Sequence, residues 1–121
     1  MIKLKRAYEP PAEEDGVRVL VDRRWPCNVW KAQAKIDIWM KEIAPSEALT
    51  VWFHREPAKW PEFRRRYWAE LYRQPELIEE LERLDREGTV TLVYRAKDTA
   101  HNNALALLQF LEHRARMRKT A

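Results

Sequence analysis

Two apolar runs, residues 17–21 and 90–94, constrain this chain more than anything else in it. Val17-Arg18-Val19-Leu20-Val21 leads into Asp22-Arg23-Arg24-Trp25-Pro26, and Val90-Thr91-Leu92-Val93-Tyr94 leads into Arg95-Ala96-Lys97-Asp98. Both runs are short, rich in β-branched residues and bracketed by glycine on one side and charge on the other, which is the pattern of buried strands. Segments of helical spacing fill the interval, and strands separated by helices favour an α/β architecture. The expected fold is α/β, with a small, mostly parallel sheet of about three strands covered by helices on both faces. A mostly helical domain with a minor sheet is the alternative. The 121 residues suit one domain spanning 1–121, since a chain of this size buries about two thirds of its extended surface.

Ile2 to Arg6 alternates apolar and basic residues and reads as a short strand, at an edge where lysines discourage further pairing. Pro10 and Pro11 stop it, and Asp15-Gly16 turns into the next strand. The link is too short for an ordinary crossover helix, which leaves the relative direction of these two strands open. Ala32, Ile36, Trp39 and Ile43 recur at helical spacing and predict a helix over 31–43. Ser46, after Pro45, is a good N-cap for a short helix carrying Leu49, Trp52 and Phe53, although 49–53 also reads as a strand. Trp60, Phe63, Tyr67 and Leu71 predict a helix over 58–72. Leu77, Ile78, Leu81 and Leu84 predict another, from Pro75 to a left-handed C-cap at Gly88. A last helix is expected over 99–117, ending in a basic tail of Arg114, Arg116, Arg118 and Lys119.

Net charge is +4, with 35% charged and 45% hydrophobic residues, so the chain has the balance of a folded, modestly basic protein. That charge permits nucleic acid, a phosphorylated ligand or an acidic partner and requires none of them. Arg64-Arg65-Arg66 and the basic tail are the candidate nucleic-acid contacts. Glu62, Glu70 and the acids at 79, 80 and 82 dilute their field, which makes nucleic acid the weaker partner class. The six tryptophans either fill a small core or support a homodimer contact. A single cysteine, Cys27, excludes an internal disulfide and gives no sign of an oxidising compartment. No apolar stretch approaches the ~20 residues of a membrane span, and no long apolar segment follows the basic N-terminus. The expectation is a cytoplasmic protein with no membrane partner.

In open parallel sheets, ligands bind beyond the C-terminal ends of the strands. Asp22 and Arg23 lie past one such end, and Arg95, Lys97 and Asp98 past the other. If the two strands are neighbours, these groups converge, with His101, Asn102 and Asn103 following at the start of the last helix. Arginine and lysine beside the amides of a helix N-terminus can hold phosphate, sulfate or carboxylate. A small anionic ligand is therefore the leading partner class. Asp22 and His101 are the candidate bases, since proton abstraction needs a carboxylate or imidazole within reach. The competing account is local: Asp22 pairs with Arg23 or Lys97, and Asp98 caps the helix through the amides of Ala100 or His101. Cys27 sits between a strand and a helix, but its loop lacks the glycines and trailing arginine of a phosphate-cradling cysteine motif. No metal site or cofactor is expected. His54, His101 and His113 have no ligand spacing, and with Gly16 and Gly88 as the only glycines there is no Walker loop or dinucleotide fingerprint.

Many spaced elements together resemble the DUF488 or YeaO-like family of uncharacterised bacterial and archaeal proteins. They are Leu4-Lys5-Arg6 with Tyr8 and Pro10-Pro11, Asp15-Gly16, the stretch from Arg18 to Arg23, Trp25-Pro26, Trp39, Ala44-Pro45-Ser46, Trp52-Phe53, Trp60-Phe63-Tyr67, Val90 to Asp98, and His101-Asn102-Asn103-Ala104. The resemblance covers almost the whole chain. It implies a compact cytoplasmic α/β domain with landmark polar groups at Arg6, Tyr8, Asp22, Arg23, Lys97, Asp98 and Asn102, and it supplies no activity. Of these, Arg6, Tyr8, Arg23, Lys97, Asp98 and Asn102 are the candidate ligand-binding residues. Cys27-Asn28 stand where the family pattern reads Arg-Gly, which removes a positive charge and a flexible residue beside the candidate site.

Overall fold

The computed structural model describes residues 1–120. Its sheet has four strands, β1 (Ile2–Arg6), β2 (Val17–Leu20), β3 (Ile38–Trp39) and β4 (Val90–Tyr94), in the order β1-β4-β2-β3. Every pairing is parallel: Ile2 lies opposite Val90, Val17 opposite Val90 on the other side, and Leu20 opposite Trp39. The helices are α1 (Lys31–Ala34), α2 (Glu47–Arg55), α3 (Trp60–Leu71), α4 (Pro75–Glu87) and α5 (Asn103–Thr120). The α/β expectation holds. β1 is an edge strand, as its lysines suggested, and β2 runs the same way as β1 because both pair parallel with β4 between them.

The period-2 alternation of the two central strands sorts their side chains. Val19 of β2 and Val21 just after it, with Val90, Leu92 and Tyr94 of β4, join Phe63, Tyr67, Leu81 and Phe110 in the main core. Leu20 and Val93 point the other way, into a smaller cluster with Ala7, Trp25, Ile36 and Trp39. The two faces are thus covered unequally. The long helices α2–α5 pack on one, while the loop 22–37 with the single-turn α1 covers the other. The tryptophans follow this division: Trp25 meets Trp39 edge-on at 5.5 Å in the small cluster, and Trp52, Trp60 and Trp68 pack against the main core. Trp30 alone among the six is largely exposed, at 74%.

Beneath the second face lies a buried ion cluster. Arg18 Nη1 donates to Asp15 Oδ2 at 2.6 Å, and Lys5 Nζ reaches both Asp15 oxygens at 3.1 and 3.2 Å. Arg18 Nε donates to the Ala34 carbonyl at 3.0 Å, anchoring α1, while its Nη2 is buried with no partner among the described residues. Next to the cluster, Gly16 has φ +62°, and a Cβ there would lie 2.1 Å from the Thr89 carbonyl oxygen.

Three local expectations are corrected. The helix expected over 31–43 stops at Ala34, because Lys35 turns into the left-handed region at φ 49°. Asp37 Oδ2 then accepts the Arg18 amide at 2.8 Å, and Ile38-Trp39 pairs with β2 as the fourth strand. The last helix begins at Asn103 rather than 99, because Asn102 is its N-cap, its Oδ1 accepting the Leu105 amide at 2.8 Å. Gly88 is extended at φ 163° rather than left-handed. The Ser46 cap is present: its hydroxyl accepts the Leu49 amide at 3.2 Å and donates to Glu70 at 2.6 Å, fastening α2 to α3.

Candidate functional site

Because β2 and β4 are parallel neighbours, their C-terminal ends open at the same edge of the sheet. Val21 continues the ladder, its amide donating to Val93 at 3.0 Å. Asp22 then turns across to β4. Its Oδ2 accepts the Arg95 amide at 2.7 Å, and its Oδ1 accepts Asn103 Nδ2 at 2.9 Å. Asn103 also donates to the Val21 carbonyl at 3.0 Å, and Trp39 Nε1 donates to the Asp22 carbonyl at 2.8 Å. Asp22 is therefore the knot that joins the end of β2, the end of β4 and the start of α5. Burial pushes its carboxyl above the usual 3.8, and the bonds from Arg95 and Asn103 pull it back only in part.

A cleft of about 780 Å³ opens beside this knot. Asp22, Arg23 and Arg24 line it from the β2 side, Arg95 to Asp98 from the β4 side, and His101, Asn102 and Asn103 from the approach to α5. Asp98 Oδ1 accepts the amides of Ala100 and His101 at 2.8 and 3.0 Å, and its Oδ2 lies 3.1 Å from His101 Nδ1. The Ala100 amide, then the His101 ring, hold the Asp98 carboxyl below 3.8. Arg24 pairs with Glu47 at 3.3 Å on the rim. By contrast, Arg23, Arg95 and Lys97 form no ion pair among the described residues. Arg23 makes one long bond, 3.4 Å to the Ala44 carbonyl, and Arg95 Nε is enclosed without a hydrogen-bond partner.

Of the residues put forward from sequence, the cleft gathers Asp22, Arg23, Lys97, Asp98, His101 and Asn102. Asn102 is buried and spends its side chain on the α5 cap and the Asp98 carbonyl. Arg6 and Tyr8 are not among the lining residues. Arg6 donates to the Ala96 carbonyl at 3.0 Å and lies over the Tyr8 ring at 5.6 Å, so it buttresses the β4 end from the neighbouring strand. Cys27 is exposed and outside the cleft. Among the described residues, no group of three His, Cys, Asp or Glu side chains is arranged to hold a metal ion. What sequence reasoning missed is the contribution of α2. Glu47, Thr50, Val51 and His54 line the cleft. Their i, i+3, i+4, i+7 spacing is the signal for one face of a helix.

The basic helix surfaces are largely engaged within the fold. Arg65 and Arg66 pair with Glu62, and Arg114 and Arg118 pair with the buried Glu82 at 2.9 and 2.7 Å. Among the described residues, no helix is long and apolar enough to cross a membrane.

Asp22→Ala is expected to destabilise the fold by about 1–3 kcal/mol, the cost of leaving the Arg95 amide and the Asn103 amide group without their acceptor. Urea denaturation would read this as a lower midpoint at unchanged slope. An unchanged midpoint would mean the knot contributes nothing.

An α/β domain with a charged cleft at the ends of parallel strands is what these observations define. Residues 1–121 match the family model described as the inactive DUF488-N3 subclade, and the chain belongs to that family. It is 40% identical over 110 residues to the uncharacterised protein YeaO of Escherichia coli, covering 91% of this chain and 96% of that protein. It is also 38% identical over 113 residues to the uncharacterised proteins Mb3100c of Mycobacterium bovis and Rv3073c of Mycobacterium tuberculosis, covering 93% of this chain and 95% of each. No solved structure matches significantly.

Proposed function

We propose that this chain is a non-catalytic binding protein that holds a small anion in the cleft beside Asp22. The observation that carries this reading is the set of Arg23, Arg95 and Lys97, three cations lining one cleft with no ion-pair partner among the described residues. A phosphate or carboxylate entering there would supply charge-assisted hydrogen bonds to these groups, including the forked donors of arginine. The start of α5 adds a favourable dipole on the same side.

Two considerations support binding without catalysis. The family is described as inactive. Both oxygens of Asp22 are committed to main-chain and side-chain donors that join three elements, and His101 Nδ1 lies against Asp98. In this reading Asp22 is a positioning group and His101 a rim residue. A nucleic-acid role has less support, because Arg65 and Arg66 of α3 already face Glu62, and Arg114 and Arg118 of α5 already face Glu82.

Titration of isotope-labelled protein with inorganic phosphate, followed by amide chemical shifts, tests the proposal. Saturable shifts clustered at 22–24, 95–98 and 101–104 are expected, with Kd on the order of 1 mM, about −4 kcal/mol. Arg95→Met should weaken binding about tenfold or more, since a hydrogen bond to a charged group is worth about 1.5–3 kcal/mol. The substitution leaves the Arg95 amide on Asp22, so the knot survives it. Shifts scattered over α3 and α5, or none, would overturn the reading.

A further inference from the structure

Resting on that reading, we infer that the cleft selects an anion joined to a flat aromatic ring, rather than a bare anion. Its volume of about 780 Å³ is far more than an inorganic ion occupies and falls in the range of about 300–1,000 Å³ typical of sites for small organic ligands. Its lining is of two kinds. The strand ends contribute Arg23, Arg95 and Lys97, whereas α2 and the turn after it contribute Val51, Phe53, His54 and Pro57. Val51 stays 50% exposed, while Leu49, two residues earlier on the same helix, is buried at 6%. A large apolar side chain left open inside a charged cleft is the surface a ligand ring would cover.

The aromatic side chains extend the same pattern. Phe63 of the core stacks on Phe53 at 4.3 Å, Phe53 lies 6.0 Å from Trp60, and Trp60 meets His101 edge-on at 5.4 Å. An unbroken aromatic series therefore runs from the core to the turn that carries Lys97 and Asp98. Ring contacts and anion contacts are adjacent at His101. Phe53, Phe63 and His101 of this series line the cleft, and offset or edge-to-face packing against them favours a planar ring over an aliphatic group of equal size. The ligand class is an aryl phosphate or aryl carboxylate, with the ring toward Val51 and Phe53 and the charge toward Arg95 and Lys97.

Calorimetric titration with phenyl phosphate, inorganic phosphate and phenol separates the contributions. Phenyl phosphate should bind about tenfold tighter than inorganic phosphate, the gain expected from covering one ring face, and phenol should bind weakest. Val51→Ser, at a half-exposed position, should reduce the advantage of phenyl phosphate and leave inorganic phosphate unchanged. Equal affinity for phenyl phosphate and inorganic phosphate would overturn this inference and leave anion binding standing. Failure of both phosphates to bind would remove the anion reading and this inference together. Phenol binding as tightly as phenyl phosphate would overturn the pairing of ring with charge. Replacing phenyl phosphate by benzoate then decides between the two anionic groups.

Discussion

Gly16→Ala is expected to cost on the order of 3 kcal/mol or more, within the tail of single substitutions that reflects enforced backbone rearrangement. Two independent features set this size. At φ +62° and ψ −136° the backbone occupies a region that side-chain-bearing residues rarely adopt. The added Cβ would also meet the Thr89 carbonyl oxygen at 2.1 Å and carbon at 2.8 Å, main-chain atoms that cannot swing aside. The same carbonyl accepts the Val17 amide at 3.0 Å, so moving it breaks the first rung between β2 and β4. Gly88→Ala is the matched control. Gly88 is extended, and a Cβ there meets nothing within 4 Å, so its substitution should change stability by less than about 1 kcal/mol. Urea melts of the two variants side by side give the test. Equal midpoints would show that the close approach at Thr89 relaxes at no cost.

Asp15→Ala should destabilise by about 3–5 kcal/mol at neutral pH, the usual cost of leaving one partner of a buried ion pair unpaired. Arg18 is the partner left behind, 3% exposed and already carrying an unmet donor at Nη2. The effect has a pH signature. Burial is the largest influence on the Asp15 carboxyl and raises it, but the Ala12 amide, Lys5 and Arg18 together outweigh burial and hold it below 3.8. A carboxyl lowered in the folded state contributes stability above its unfolded value and loses it as pH falls through the folded one. The gap between wild type and Asp15→Ala should therefore narrow below about pH 3.8. Asp22, raised above 3.8, acts with the opposite sign: the protonation-linked part of its contribution is lost as pH rises through its folded value, while the hydrogen bonds it accepts from Arg95 and Asn103 remain. Denaturation at pH 7 and near pH 3 checks the narrowing, and a gap independent of pH would place the cost of Asp15→Ala in packing rather than charge.

The parts of the fold that were legible in sequence are those where one local signal acts alone. β2 and β4 are largely buried runs bounded by glycine and charge, and α2, α3 and α4 carry a cap or an N-terminal proline with a regular apolar stripe. The failure at 31–43 has a different origin. Ala32, Ile36, Trp39 and Ile43 do repeat at helical spacing, but they serve different neighbours. Ile36 and Trp39 cover Leu20 and Val93 on one face, while Ile43 enters the main core on the other. The decisive residues are Lys35, which takes a left-handed conformation without being glycine, and Asp37, whose carboxylate replaces a ladder acceptor for Arg18. A two-residue strand offers too short a window for period-2 alternation to outweigh that stripe.

The site was legible where topology carries it and illegible where packing does. Placing Asp22 and Arg95 at the ends of neighbouring parallel strands was enough to foresee their meeting, though not that Asp22 would bind a main-chain amide rather than an arginine or lysine side chain. Asp98 does accept the Ala100 and His101 amides, yet the helix it was expected to open starts later, at the Asn102 cap. The role of α2 depended on which way that helix packs, and the stripe of Leu49, Trp52 and Phe53 alone does not specify the neighbour its opposite face will overlook.

The strand order β1-β4-β2-β3 also bears on how the protein is made. β1 is synthesised before β4, yet among the described residues it pairs with β4 alone, with Ile2 opposite Val90. At roughly 5–20 residues per second, the N-terminal strand waits several seconds for the segment that pairs with it. β2 can meet β3 early, while the β2–β4 and β1–β4 ladders close only when residues 90–94 arrive, so folding is dominated by sequence-distant contacts that form slowly. During that interval an alternating lysine strand, with charge on every second residue, is well suited to remain unpaired without recruiting another chain.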